Sequence, residues 1–210
     1  MILVGQFDSP VTRRVGVVLH HYGIPFTRDA RSIFGDAEGI AKITPMIRIP
    51  ALILKGGEVL IDSNAILEYL DEQVGPTRAL IPPSGPQRRN ILQTTARAHS
   101  CFEKSGQLVY ERIFHPPEHV SQQWLARCQS QLAAGLNELE QLFKGPWLCG
   151  DAITHADIML TCAVGYMNLR LRSAFPPGAY PKLETLAAKC EALPAFNAAS
   201  IGANETMPKV

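Results

Sequence analysis

Residues 48–70 read Arg48-Ile49-Pro50-Ala51-Leu52-Ile53-Leu54-Lys55-Gly56-Gly57-Glu58-Val59-Leu60-Ile61-Asp62-Ser63-Asn64-Ala65-Ile66-Leu67-Glu68-Tyr69-Leu70. Two β-prone runs, 51–54 and 58–61, flank Lys55-Gly56-Gly57. Glycine there supplies the positive φ that a tight hairpin turn needs. Asp62-Ser63 then opens a helix, with Ile66, Tyr69, Leu70 and Val74 at helical spacing. The stretch reads strand, strand, helix.

Upstream, residues 2–7 read as a short buried strand. After Ser9-Pro10 a helical period puts Val11, Val15, Val18, Leu19 and Tyr22 on one face, and Gly23 with Pro25 ends it. Residues 26–31 suggest a second strand, and 35–44 are weakly helical. The order over residues 1–76 is βαβ, a short helix, then ββα. Downstream, Pro76, Pro82, Pro83, Gly85 and Pro86 mark residues 77–86 as a linker. Beyond it lie helical candidates at 88–114, 121–143, 154–171 and 181–193, with no strand pair among them. Residues 87–210 are therefore expected to form an all-α bundle, and the chain as a whole is α+β.

The composition suits a folded core. Of 210 residues, 46% are hydrophobic, and the formal net charge is +1. That balance argues against a protein built mainly to grip nucleic acid or an anionic membrane. The N-terminal Met1-Ile2-Leu3-Val4-Gly5 lacks a basic leader, and no apolar run is long enough to span a bilayer, so a cytoplasmic protein is expected. The five cysteines are widely spaced without a C-x-x-C pair, which fits reduced, buried thiols. The six histidines are scattered; His115 and His119 flank two prolines that favour a loop, and no metal site is expected.

Candidate chemistry sits at three places. Ser9-Pro10, between a strand and a helix, reads as an N-cap followed by proline in the first turn. It also reads as a hydroxyl and a positive helix end facing a bound thiol, both of which favour the thiolate. Ile49-Pro50 enters a strand either as an ordinary trans pair or as a cis bond that turns the backbone of Ile49 outward toward an extended peptide ligand. Asp62-Ser63 reads as a cap, or as a site where Ser63 and backbone N–H groups take an anion while Asp62 takes an ammonium. Thr154-His155-Ala156-Asp157 has the spacing of a capping box, with Ile153 and Ile158 placed as a hydrophobic staple, and belongs to folding.

These motifs together resemble the glutathione transferase superfamily over nearly the whole chain. Ser9-Pro10-Val11-Thr12-Arg13-Arg14-Val15, Thr44-Pro45-Met46-Ile47-Arg48-Ile49-Pro50-Ala51-Leu52, Asp62-Ser63-Asn64-Ala65-Ile66 and Thr154-His155-Ala156-Asp157-Ile158 follow in the family's order. The resemblance implies a thioredoxin-like first domain, a cis Pro50, a homodimer, and reduced glutathione as cosubstrate. By it, Ser9 activates the thiol, Ile49 pairs with the cysteinyl backbone, and Asp62 with Ser63 holds the γ-glutamyl end. Arg48 approaches the glycyl carboxylate, and Thr12 and His99 stand as auxiliary candidates. The implied activity is conjugation of glutathione to small electrophiles, a detoxifying role. The alternative is a glutathione-binding or interaction protein without turnover. Three departures stand out: Thr44 replaces an Asn, Met46-Ile47 replaces a glycine-like turn, and His99 replaces an acid. Ser9 argues against disulfide-exchange chemistry, and the Ser-Ser-Cys signature of the maleylacetoacetate isomerase class is missing.

Overall fold

Hydrogen bonding along the chain gives the order β1 (Ile2–Val4), α1 (Pro10–Tyr22), β2 (Thr27–Asp29), α2 (Ala37–Ala41), β3 (Ala51–Ile53), β4 (Val59–Leu60) and α3 (Ser63–Val74). It continues with α4 (Gly85–Phe114), α5 (Gln122–Leu142), α6 (His155–Arg170), α7 (Pro181–Glu191) and α8 (Pro194–Ala198). This is a computed structural model, and it describes residues 1–205. The chain divides into two units, Met1–Leu80 joined by the C-terminal segment from Ala192, and Ile81–Glu191.

In the first unit the sheet order is β2-β1-β3-β4. β1 runs parallel to β2 and antiparallel to β3, with Val4 opposite Ala51, and β4 closes the hairpin. This is the expected thioredoxin-like arrangement. The strands are shorter than the apolar runs that announced them. Gly23 ends α1 in the left-handed region at φ 67, and the following N–H of Ile24 returns to Leu19 O at 2.9 Å.

The expectation of a one-sided α1 is corrected. Residues 12–19 are all buried, including Arg13 and Arg14. α3 covers one side of the helix, and α8 with the segment after it packs against another. Arg13 Nε donates to Ala199 O at 2.9 Å, and its guanidinium lies 5.6 Å from the Phe196 ring centre. α8 itself was not legible as a separate helix.

α1 and α3 are tied at two levels. Arg14 Nη2 donates to Ser63 Oγ at 2.5 Å and to Asn64 Oδ1 at 2.8 Å. One end further on, the Tyr22 hydroxyl donates to Asp71 and accepts the Leu80 N–H at 2.8 Å. Arg14–Ser63 and Tyr22–Asp71 have the same sequence separation of 49, so the helices run side by side in the same direction. Burial and the Asp71 carboxylate push the Tyr22 pKa up, so this phenol stays a donor.

Before β3 the chain makes a turn in which Ile47 N–H donates to Thr44 O at 3.0 Å. Ile47 has φ 49, in the left-handed region that β-branched side chains avoid. The backbone that a glycine would adopt without cost is kept with an isoleucine in place.

In the second unit α4 packs on α5 and α6, and α6 on α7. α6 is enclosed for most of its length, as a helix at the centre of a bundle must be. Its start forms the expected capping box. Asp157 is fully buried and does more than cap: Oδ2 accepts from Thr154 N and Thr154 Oγ1, each at 2.8 Å, while Oδ1 accepts Leu148 N–H at 2.8 Å. One carboxylate thus fixes the helix start and the loop before it. Burial pushes its pKa up, against these donated bonds, which pull it down. All five cysteines are buried, and none is in a disulfide. Burial pushes the Cys101 thiol up to about 12 and Cys190 up to about 11, which leaves both inert as nucleophiles.

Three stability outcomes follow from this geometry. Thr154→Ala should cost about 0.5–2 kcal/mol, as lost N-caps do. Asp157→Ala, which orphans three donors, should cost more, about 3 kcal/mol or above; urea titration that ranks them the other way would contradict the role given to Asp157. Ile47→Gly should stabilise the protein by about 0.5–1 kcal/mol, the relief of a left-handed β-branched residue less glycine's extra unfolded freedom. A lower melting temperature in that variant would show the turn is unstrained.

Candidate functional site

The first unit gathers several of the candidate residues at the C-terminal end of β1. Gly5 follows that strand with φ 128, and a Cβ there would stand 2.9 Å from Ile49 Cβ and 2.9 Å from Thr12 Oγ1. Only glycine lets the end of β1, the first turn of α1 and Ile49 meet so closely. Gly5 N–H is used by Asp29 O at 2.8 Å, which fixes the turn to β2.

Ile49-Pro50 is a cis bond. Ile49 is half-buried and lies outside the β1–β3 ladder, which begins where Ala51 faces Val4. Arg48, just before it, is exposed.

Ser9 is the N-cap of α1 in extended conformation, yet its side chain makes no cap hydrogen bond. Its carbonyl accepts the N–H groups of Thr12 at 3.1 Å and Arg13 at 2.9 Å. The half-buried hydroxyl therefore stands at a helix N-terminus, where partial positive charge accumulates, without serving that helix. Thr12, one turn on, is fully buried, and its Oγ1 has no hydrogen-bond partner.

The start of α3 is organised differently. Asp62 is exposed and caps its own helix, accepting Asn64 N–H at 2.7 Å. Ser63 is buried, with Oγ accepting from Arg14. A hydroxyl that accepts one bond retains its own proton to donate. Thr12 and Ile49 thus meet around Gly5, Ser9 stands at the N-cap of the helix that carries Thr12, and Arg14 connects that helix to Ser63 and Asn64. His99 lies on α4 in the second unit, half-buried, with its ring 6.0 Å from that of Phe102.

Arg14 is the residue whose role sequence reasoning missed. A signal was there: it stands three residues after Val11 and four before Val18, in the middle of the apolar stripe. An arginine at such a position must be paired to be buried. The arrangement offers a hydroxyl donor at one helix N-terminus, and a carboxylate and a hydroxyl at another. Such a set can hold an anionic sulfur and a group carrying both charges.

Comparison with known proteins bears on the family and the fold. The family description "Glutathione S-transferase, N-terminal domain" matches residues 8–73, and "Glutathione S-transferase, C-terminal domain" matches residues 122–186. The chain is similar to the maleylacetoacetate isomerase of Pseudomonas aeruginosa, at 32% identity over 75% of this chain and 73% of the relative. It also resembles a glutathione S-transferase from Methylobacterium radiotolerans in complex with glutathione sulfonate, with a TM-score of 0.90, 25% identity and coverage of 100% and 98% of the two chains. A glutathione S-transferase from Methylobacillus flagellatus with glutathione bound gives a TM-score of 0.88 at 27% identity, covering 96% of this chain and 99% of that one. Two matched domains in order, a relative 32% identical across three quarters of the chain, and the shared architecture converge: the chain belongs to the glutathione S-transferase family.

Proposed function

We propose that the protein is a glutathione-dependent enzyme in which Ser9 holds the thiol as a thiolate. The observation that carries this reading is the Ser9 hydroxyl, placed at the N-terminus of α1 and not used to cap it. Glutathione supplies a thiol nucleophile for attack on an electrophilic centre. The chain's part is to bind and orient it and to stabilise negative charge on sulfur. Ser9 Oγ–H donates to that sulfur, and the α1 dipole adds to the effect. Each unit by which the site lowers the thiol pKa needs about 1.4 kcal/mol of preferential stabilisation. One hydrogen bond to an anion, at about 1.5–3 kcal/mol, meets that need.

Ile49 offers backbone groups to the cysteinyl residue. Ser63 and the α3 N-terminus take the γ-glutamyl carboxylate, and Asp62 its ammonium. Exposed Arg48 takes the glycyl carboxylate. His99 and Thr12 remain auxiliary groups, and the acceptor is a small electrophile. The reading includes a homodimer acting in the cytoplasm, in detoxification; among the described residues no helix is long and apolar enough to cross a membrane.

A second reading is favoured by one similarity. The Pseudomonas relative carries the name of an isomerase. Isomerisation through glutathione would return the thiol unchanged, whereas conjugation consumes it. Following free thiol alongside product formation, with a panel of electron-poor alkenes and halides, separates the two. Binding without consumption or product would mark the protein as a glutathione-binding member without turnover.

Two variants test the site. Asp62→Asn keeps the cap on Asn64 and removes the charge, so glutathione affinity should fall by about tenfold, near the low end of a charge-assisted bond, with little change in melting temperature. Unchanged calorimetric affinity would displace the γ-glutamyl group from this helix. Ser63→Ala is less clean, because it also removes a partner of buried Arg14 and should cost stability. Ser9→Ala should raise the apparent pKa of bound glutathione by about one to two units. Turnover should then fall at neutral pH and partly return as pH rises, with affinity less affected. A pH–rate profile that overlays the parent's would assign the sulfur to another group.

A further inference from the structure

The turn that carries Ser9 is held by a residue from the far end of the chain. Within the turn, Ser9 N–H reaches Gln6 O only at 3.4 Å, a weak bond. Phe7 N–H instead donates to Glu205 Oε2 at 2.5 Å, in a buried contact across 198 residues. Glu205 is itself buried, and its other carboxylate oxygen is paired with the guanidinium of Arg28 on β2. That guanidinium lies 3.7 Å from the Phe7 ring centre. The ring is wedged against α1, where a Cβ on Gly16 would come within 2.5 Å of it. The carboxylate is shaped locally as well: Glu205 N–H turns back to Gly202 O at 3.0 Å, and a Cβ on Gly202 would stand 3.0 Å from Oε1. Arg13 Nε on Ala199 O ties the same C-terminal segment to the first turns of α1.

We infer that Glu205 is a positioning residue for the glutathione site: clamped by Arg28, it fixes the Phe7 peptide and so sets the direction of the Ser9 hydroxyl two residues later. The inference rests on the reading of Ser9 as the partner of the sulfur. The charged groups around the turn are Arg28 from β2, Asp8 within the turn itself and Arg13 from α1; Asp29, on the same strand as Arg28, is paired with Arg31 at 2.6 Å. Glu205 touches neither sulfur nor electrophile in this scheme. Its effect passes through the backbone of residues 7–9, because a hydroxyl misdirected by a fraction of an ångström loses much of a hydrogen bond to an anion.

The experiment compares Glu205→Ala, Glu205→Gln, Ser9→Ala and the Ser9→Ala/Glu205→Ala pair in the full chain. Amide exchange at Phe7 is read in the ligand-free protein, and the ultraviolet absorbance of the bound glutathione thiolate is titrated against pH. Glu205→Ala should speed Phe7 exchange and raise the bound thiol's apparent pKa by about 0.5–1 unit, leaving about three- to tenfold less thiolate at neutral pH. Glutathione affinity should change less than this. Glu205→Gln, which keeps an oxygen acceptor for Phe7 but loses the ion pair, should fall between, and it carries the test if the alanine variant does not fold. In the Ser9→Ala background, removing Glu205 should add no further shift. An unshifted thiol pKa in both Glu205 variants, with Ser9→Ala shifted, overturns the inference alone. An equal shift in both backgrounds also overturns it, since Glu205 would then act apart from Ser9. An unshifted thiol in Ser9→Ala overturns the reading of the site and this inference with it.

Discussion

The guanidinium of Arg14 is the contact on which the first unit is organised. A cation with almost no exposed surface is costly unless its hydrogen bonds are made. Ser63 and Asn64, in the first turn of α3, both accept from its Nη2. The consequence is positional: the N-terminal turn of α3 cannot drift from α1 without stranding a buried charge. Tyr22 and Asp71 repeat the constraint at the same sequence offset, so the pair of helices is fixed in both separation and register. Two helix N-termini are thereby presented together, and partial positive charge gathers where the candidate ligand groups are anionic.

The two helix starts use their polar residues in opposite ways. Asp62 satisfies its own helix and remains exposed, so its carboxylate can serve structure and ligand together. Ser9 occupies the equivalent place on α1 and gives its side chain to neither N–H of the turn. A serine N-cap usually contributes about 1 kcal/mol to its helix. Leaving that bond unmade is a small local loss, of the kind found where a group is reserved for a ligand. Packing compensates: Gly5 lets Thr12 and Ile49 close against the same strand end, and α1 is buried all round behind them.

Much of this was legible in the amino-acid sequence, and the parts that were not share a cause. The hairpin at Lys55-Gly56-Gly57, the stop at Gly23 and the Thr154–Asp157 box are local, and each depends on residues within a few positions of one another. Cis Ile49-Pro50 was legible only through resemblance, since residue type alone favours trans. What remained hidden depends on long-range return of the chain. The burial of Arg13 requires the segment after Ala192 to pack on α1, and no periodicity announces that. Glu205 is one carboxylate in a polar tail until Phe7 and Arg28 are seen beside it. Asp157 reads as a cap, but its second oxygen reaches Leu148, nine residues back.

The most direct test is a crystal structure of the protein with reduced glutathione. The account predicts the sulfur within hydrogen-bond distance of Ser9 Oγ, the cysteinyl backbone alongside Ile49, and the γ-glutamyl group at the start of α3 between Asp62 and Ser63. A glutathione whose sulfur points away from Ser9 while its γ-glutamyl end sits at α3 would contradict the assigned chemistry, and a γ-glutamyl end bound elsewhere would contradict the site itself.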